Sequence, residues 1–102
     1  MLITATLDGC AGSDRGDLRR DSGIALRADD QLALVRNETH DGYRAVIKVS
    51  PRTRTRVVKA IYDASAGECH TMVPQTGECF FMHNGRPIFV LVRPHLIVVD
   101  VQ

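Results

Sequence analysis

Three apolar runs crowd the last quarter of the chain: Phe80-Phe81-Met82, Ile88-Phe89-Val90-Leu91-Val92 and Leu96-Ile97-Val98-Val99. None alternates with polar residues, as a strand with one wet face would. Asn84-Gly85, between the first two runs, accepts the positive φ of a type I′ turn, and Arg93-Pro94-His95 marks a second reversal. The runs therefore predict a three-stranded meander over about 78–83, 86–92 and 96–101. Continuous apolar strands need cover on both faces, and a chain of 102 residues has little to cover them with. Either a second layer with a helix supplies the cover, or another subunit does.

Upstream, Met1 to Leu7 reads as a first strand and Ile24 to Arg27 as a short one. Gln31–Arg36 and Tyr43–Val49 read as a hairpin through 37–42, and Glu68–Val73 as a further strand. Ser50-Pro51 opens a helix, with Ser as N-cap and Pro at the first helical position. Val57, Ile61 and Ala64 share one face of it and Gly67 ends it, so the only helix expected covers about 51–65. Segment 8–23 is rich in Gly, Asp, Ser and Arg with hardly an apolar side chain, which predicts a long mobile loop. The expected fold is one α+β domain spanning 1–102. It is a curved, mostly antiparallel sheet or partly open β-barrel with one helix and the C-terminal meander. A single helix covers one face only, so a twofold homodimer is expected.

The net charge of +1 argues against a nucleic-acid mimic and against a protein that coats DNA by total charge. Three Phe, two Tyr and no Trp argue against a large stacking platform for single-stranded bases. No apolar run approaches the ~20 residues of a membrane span, and the N-terminus has no signal-peptide pattern. An odd, sparse set of cysteines, Cys10, Cys69 and Cys79, predicts free thiols in a reducing compartment, hence a cytoplasmic protein.

Four groups of residues carry candidate chemistry. Cys69, His70, Cys79 and His83 are zinc-ligand types, but their spacing is not that of a finger or knuckle, and no metal or cofactor is expected. A hairpin register centred on Gln75-Thr76 would put the two cysteines on opposite faces, and a one-residue change of register would reverse that. Cys10 and Arg15 suggest a phosphate-cradling thiolate loop, yet four residues separate them where that loop has five. Arg52, Arg56 and Lys59 stand at i, i+4 and i+7 on one helix face, with Arg54 to the side, and Arg19-Arg20 could extend the patch. Such a row meets phosphates or an acidic partner, and arginines in the first turn oppose the helix dipole unless something acidic meets them. Asp14, Asp17, Asp21, Asp29, Asp30 and His40-Asp41 fit turn chemistry better than acid–base catalysis, because no nucleophile or phosphate-loop motif accompanies them.

Leu34-Val35-Arg36, Asp41 and Ala45-Val46, followed by a helix, resemble the HIRAN domain, a small barrel-like module associated with DNA-end binding. The stretch covers about a third of the chain; its Asp-to-Ala spacing is off by one, and Ser50-Pro51-Arg52 stands where a Gly-Tyr-x-Pro-Arg element should follow. The resemblance favours the nucleic-acid alternative. The function expected is a small non-enzymatic, homodimeric interaction or regulatory module. It would bind a protein partner through Arg52, Arg54, Arg56 and Lys59 together with the 8–23 loop. The alternatives are phosphate contact with a nucleic acid through the same helix face, and a small-molecule or thiol site in a barrel mouth.

Overall fold

A computed structural model describes residues 14–36, 41–69 and 77–102. A first helix, α1, covers 14–22. It is followed by β1 (Gln31–Arg36), β2 (Tyr43–Lys48), α2 (Pro51–Ala64), β3 (Gly77–His83), β4 (Arg86–Val92) and β5 (Leu96–Val101). The five strands form one sheet in the order β1-β2-β5-β4-β3, every neighbouring pair antiparallel. β1 and β3 are its two edges, so the sheet is open and is not a closed barrel.

Side chains alternate across a strand, and the register aligns them into an inner face. Leu34, Ala45, Val99, Val90 and Cys79 make one cross-strand row. Leu32, Ile47, Ile97 and Val92 make the next. Both helices pack on this face: Leu18 from α1 and Val57, Val58 and Ile61 from α2 join the same core. Ser50 caps α2 as expected of its type. Its Oγ accepts from the Thr53 N–H at 3.2 Å while the Ser50 N–H donates to Thr53 Oγ1 at 2.7 Å. The Asn84-Gly85 reversal holds both residues at positive φ, 51° and 80°, as a type I′ turn requires.

Several expectations change. Residues 14–22 of the supposed mobile loop are helical, so the described residues hold two helices and not one. The reason is tertiary. α1 offers Leu18 alone to the core, at 0% exposure, and is otherwise held by charged side chains that a periodicity search does not weigh. Residues 8–13 lie outside the described residues. Ile24–Arg27 is not a strand, because its backbone donors go to side chains: Ile24 N–H to Ser22 Oγ at 3.1 Å and Arg27 N–H to Asp30 Oδ2 at 2.7 Å. Glu68 and Cys69 belong to a turn after α2, and the rest of the strand expected over 68–73 lies outside the described residues, as does Met1–Leu7.

Cys69 and Cys79 are joined by a disulfide across a sequence separation of 10, so these two are not the free thiols expected. A bridge closing so short a loop contributes about 2–3 kcal/mol in the chain-entropy account. Cys10 lies outside the described residues. Among the described residues no helix is long and apolar enough to cross a membrane.

Gly23 ends α1 at φ +80, its N–H returning to Arg19 O at 2.8 Å. A Cβ there would stand 2.8 Å from His83 Cε1 and 3.4 Å from Ala64 Cβ. The imidazole can swing away, but the left-handed backbone cannot be relieved. Gly23→Ala is therefore expected to cost about 1–2 kcal/mol in denaturant unfolding. An unchanged midpoint would show that the positive φ is not required.

Candidate functional site

The face of the sheet opposite the helices carries most of the exposed large apolar side chains among the described residues. Val35, Arg44, Asp100, Phe89 and Phe80 form one outward row, and Ala33, Val46, Val98, Leu91 and Glu78 the next. Val35 is 61% exposed, Met82 54%, and Phe80 and Phe89 47% each, which is unusual for side chains of this size clustered on one surface. The Phe80 and Phe89 rings meet at 4.7 Å between centroids, tilted by 45°. Arg44 Nε donates to Asp100 Oδ1 at 2.7 Å in the middle of the row, so the one charged pair there neutralises itself. Arg44, Glu78, Phe80, Phe89, Leu91, Val98 and Asp100 from these two rows line a shallow hollow of about 560 Å³. Among the described residues no element covers it. The apolar runs called for cover on both faces, and within the chain described the helices supply it for one.

A second cluster sits at the other side of the sheet, where α1 meets β1, β2 and β4. Asp21 is buried and accepts from Tyr43 Oη at 2.7 Å and from Arg20 Nε at 3.0 Å, with Arg86 Nη1 at 3.4 Å. Asp17 accepts from Arg36 Nη2 at 2.7 Å, and the Arg36 guanidinium lies 4.9 Å from the centre of the Tyr43 ring. Burial pushes the Asp21 carboxyl up, but the Arg20 and Tyr43 hydrogen bonds and the nearby Arg86 charge outweigh it and hold it below the ordinary carboxylate range. Burial, with Asp21 beside it, pushes the Tyr43 phenol up, so it stays protonated. A fixed neutral donor on a fixed carboxylate is what a structural clamp needs. Neither group is poised near neutrality for proton transfer.

The basic row of α2 is partly consumed inside the fold. Arg56 makes a two-pronged ion pair with the buried Asp30, one prong at 3.1 Å. Asp30 in turn accepts from the Arg27 N–H, and its own carbonyl accepts from Arg15. Lys59 pairs with Asp63 one turn on, at 3.1 Å. Arg54 is half-buried and Arg52 is exposed. The row exists as a row, yet two of its four cations already face carboxylates. Arg20 is likewise engaged with Asp17 and Asp21. The cysteine–histidine set is not assembled as a metal site: Cys69 and Cys79 are bonded to each other and His70 lies outside the described residues. Cys10, the first residue of the suggested thiolate loop, also lies outside them, while Arg15 binds the carbonyls of Arg27 and Asp30.

Sequence reasoning did not single out Asp30–Arg56, Asp21–Tyr43–Arg86 or Arg44–Asp100, whose members stand 26, 22 and 56 residues apart where hydrogen bonds join them. No local spacing signals such pairs. Compared with protein-family models, curated proteins and solved structures, the chain finds no match.

Proposed function

We propose that this protein is a small homodimeric interaction module, assembled by packing the outer sheet faces of two copies against each other. The single observation that supports it is the apolar outer face, with Phe80, Met82, Phe89 and Val35 about half exposed or more on an open sheet. Two such faces pack about 10 Å apart with interleaved side chains, and twofold contact lets the aromatic half of one face meet the aliphatic half of the other. A second copy suits this face better than a charged partner does, because Arg44 and Lys48 are balanced on it by Asp100 and Glu78 and leave no net sign to attract one. Five strands at about 4.8 Å and six or seven residues at about 3.3 Å give a footprint of roughly 24 by 20 Å. That is about 480 Å² of flat footprint per copy, the size of a small, weak interface.

In this reading the helix side, with exposed Arg52 and the α1 surface, faces outward on both copies and is the surface for a further protein partner. A nucleic-acid role through Arg52, Arg54, Arg56 and Lys59 is the alternative. It is weakened by the carboxylates already paired with Arg56 and Lys59.

The experiment is light scattering of the purified chain at micromolar concentration in low and high salt, with absorbance read at 260 nm. The expected result is a dimer in both, free of nucleic acid. Phe89→Lys, which places a cation beside Asp100 on an exposed site, is expected to raise the dimer dissociation constant about 30-fold or more, the size of an interface hot spot. A monomer in both salts would overturn the reading. Nucleic acid released by salt would favour the alternative.

A further inference from the structure

We propose that the Cys69–Cys79 disulfide is a redox-operated latch on β3: closed, it keeps this edge strand and its share of the outer face in place, and opened by a dithiol it releases them. The effect on assembly rests on the sheet-face reading above, whereas the latch itself does not.

β3 is the most weakly held strand of the meander. It lies at the edge and pairs with β4 alone among the described residues. Of its seven residues only Phe81 is fully buried, against three each in β4 and β5. It nevertheless carries Phe80 and Met82, two of the most exposed apolar side chains of the outer face. What it lacks in buried surface is supplied at Cys79. Cys79 faces inward in the row of Val90, and its sulfur is bonded to Cys69. Cys69 is a firm anchor: it has 0% exposure, lies at the end of the turn that follows α2, and its N–H donates to Ser65 Oγ at 3.1 Å. The bridge thus ties a marginal edge strand to the helix-covered core. A tie of this kind matters most where local opening is otherwise easy.

The two cysteines differ in exposure. Cys79 is half-buried and Cys69 fully buried, which directs an attacking thiolate to Cys79 and makes Cys69 the leaving group. The thiolate of a dithiol reductant bonds to Cys79 Sγ as the Sγ–Sγ bond breaks, and Cys69 Sγ leaves with the electron pair and takes a proton. The second thiol of the reductant then attacks the mixed disulfide, releasing Cys79, which is also protonated. Two electrons and two protons pass to the protein, and the dithiol becomes a cyclic disulfide. A disulfide oxidant reverses the sequence. With the tie gone, Phe81 and the β4 ladder are what holds β3 among the described residues, and the Phe80–Phe89 ring pair that joins the two strands on the outer face loosens with it.

The test is hydrogen exchange of the backbone amides of the native protein, oxidised and in millimolar dithiothreitol, beside the double variant Cys69→Ala/Cys79→Ala. The dimer dissociation constant is measured in the same states. Expected are opening of the bridge without denaturant, exchange at least tenfold faster in 77–83 with β2 and β5 unchanged, and a tenfold or greater rise in the dissociation constant. The latch is overturned if the native bridge resists the dithiol. It is also overturned if β3 exchange is unaltered, or if exchange accelerates equally across the sheet, which would make the bridge a staple of the whole fold. A chain that is monomeric in both redox states sinks the dimer reading, while the exchange data still judge the latch. A dimer equally tight in both states, with β3 loosened, would overturn the control of assembly.

Discussion

Leu18→Ala is expected to destabilise the protein by about 3 kcal/mol, a large effect for a residue in a segment that reads as loop. Leu18 has 0% exposure and sits in the core with Val57, Val58, Ile61 and the inner sheet face. Truncation removes its transfer free energy and leaves a cavity that surrounding strands and helices cannot fill. It is also the only large apolar side chain between Asp14 and Ser22, so the helix has no second anchor of that kind to compensate. Denaturant unfolding of Leu18→Ala beside Leu18→Met checks it. The methionine variant should lose less than about 1.5 kcal/mol because volume is kept. An alanine variant within about 0.5 kcal/mol of the parent, the range of ordinary surface changes, would mean that α1 is not packed on the sheet.

Asp21→Ala is expected to cost about 2–4 kcal/mol, because it strips the buried Tyr43 hydroxyl of its acceptor and leaves Arg86 without its carboxylate. Exposed Arg20 contributes little to that figure, since water solvates it when the partner is gone. The same clamp sets a pH dependence. Burial opposes ionisation at both Asp21 and Asp30, but the partners win: Arg20 and Tyr43 at Asp21, Arg56 and the Arg27 N–H at Asp30. Both carboxyls are thus more acidic in the folded than in the unfolded chain. Their stabilisation is complete above the unfolded carboxylate value of about 4, and is lost as the pH falls through the lower folded values. Unfolding free energy measured between about pH 7 and pH 2 should therefore be flat at first and then fall. The acid slope of Asp21→Ala should be shallower than that of the parent. An identical slope in the two proteins would show that Asp21 is not ionised within the fold.

The strand content of the C-terminal quarter was legible because apolar runs and an Asn-Gly turn act locally. Asn84 and Gly85 take positive φ for reasons contained in the dipeptide. Ser50-Pro51-Arg52-Thr53 likewise carries its own cap, and α2 starts at Pro51. α1 was not legible, since its hold on the sheet comes through Leu18 in the core and through Asp17 and Asp21 meeting Arg36, Tyr43 and Arg86 from three other elements. A helix of this composition has almost no intrinsic reason to form in isolation. The basic row at Arg52, Arg56 and Lys59 was legible as spacing, but not that Asp30, brought over by the turn after α1, would occupy Arg56.

The sequence by itself determined the α+β class, an antiparallel sheet, and the demand for cover on both faces of its last strands. Those properties are sums over neighbouring residues: periodicity, turn chemistry and the continuity of apolar runs. Only the tertiary structure decided that the sheet stays open, that both helices lie on one face, and that Phe80, Met82, Phe89 and Val35 remain on the other. It alone decided that Cys69 and Cys79 meet. Strand order, helix placement and cysteine pairing depend on contacts between residues far apart in the chain. Their free energies are set by what each face can bury, and no local pattern encodes them.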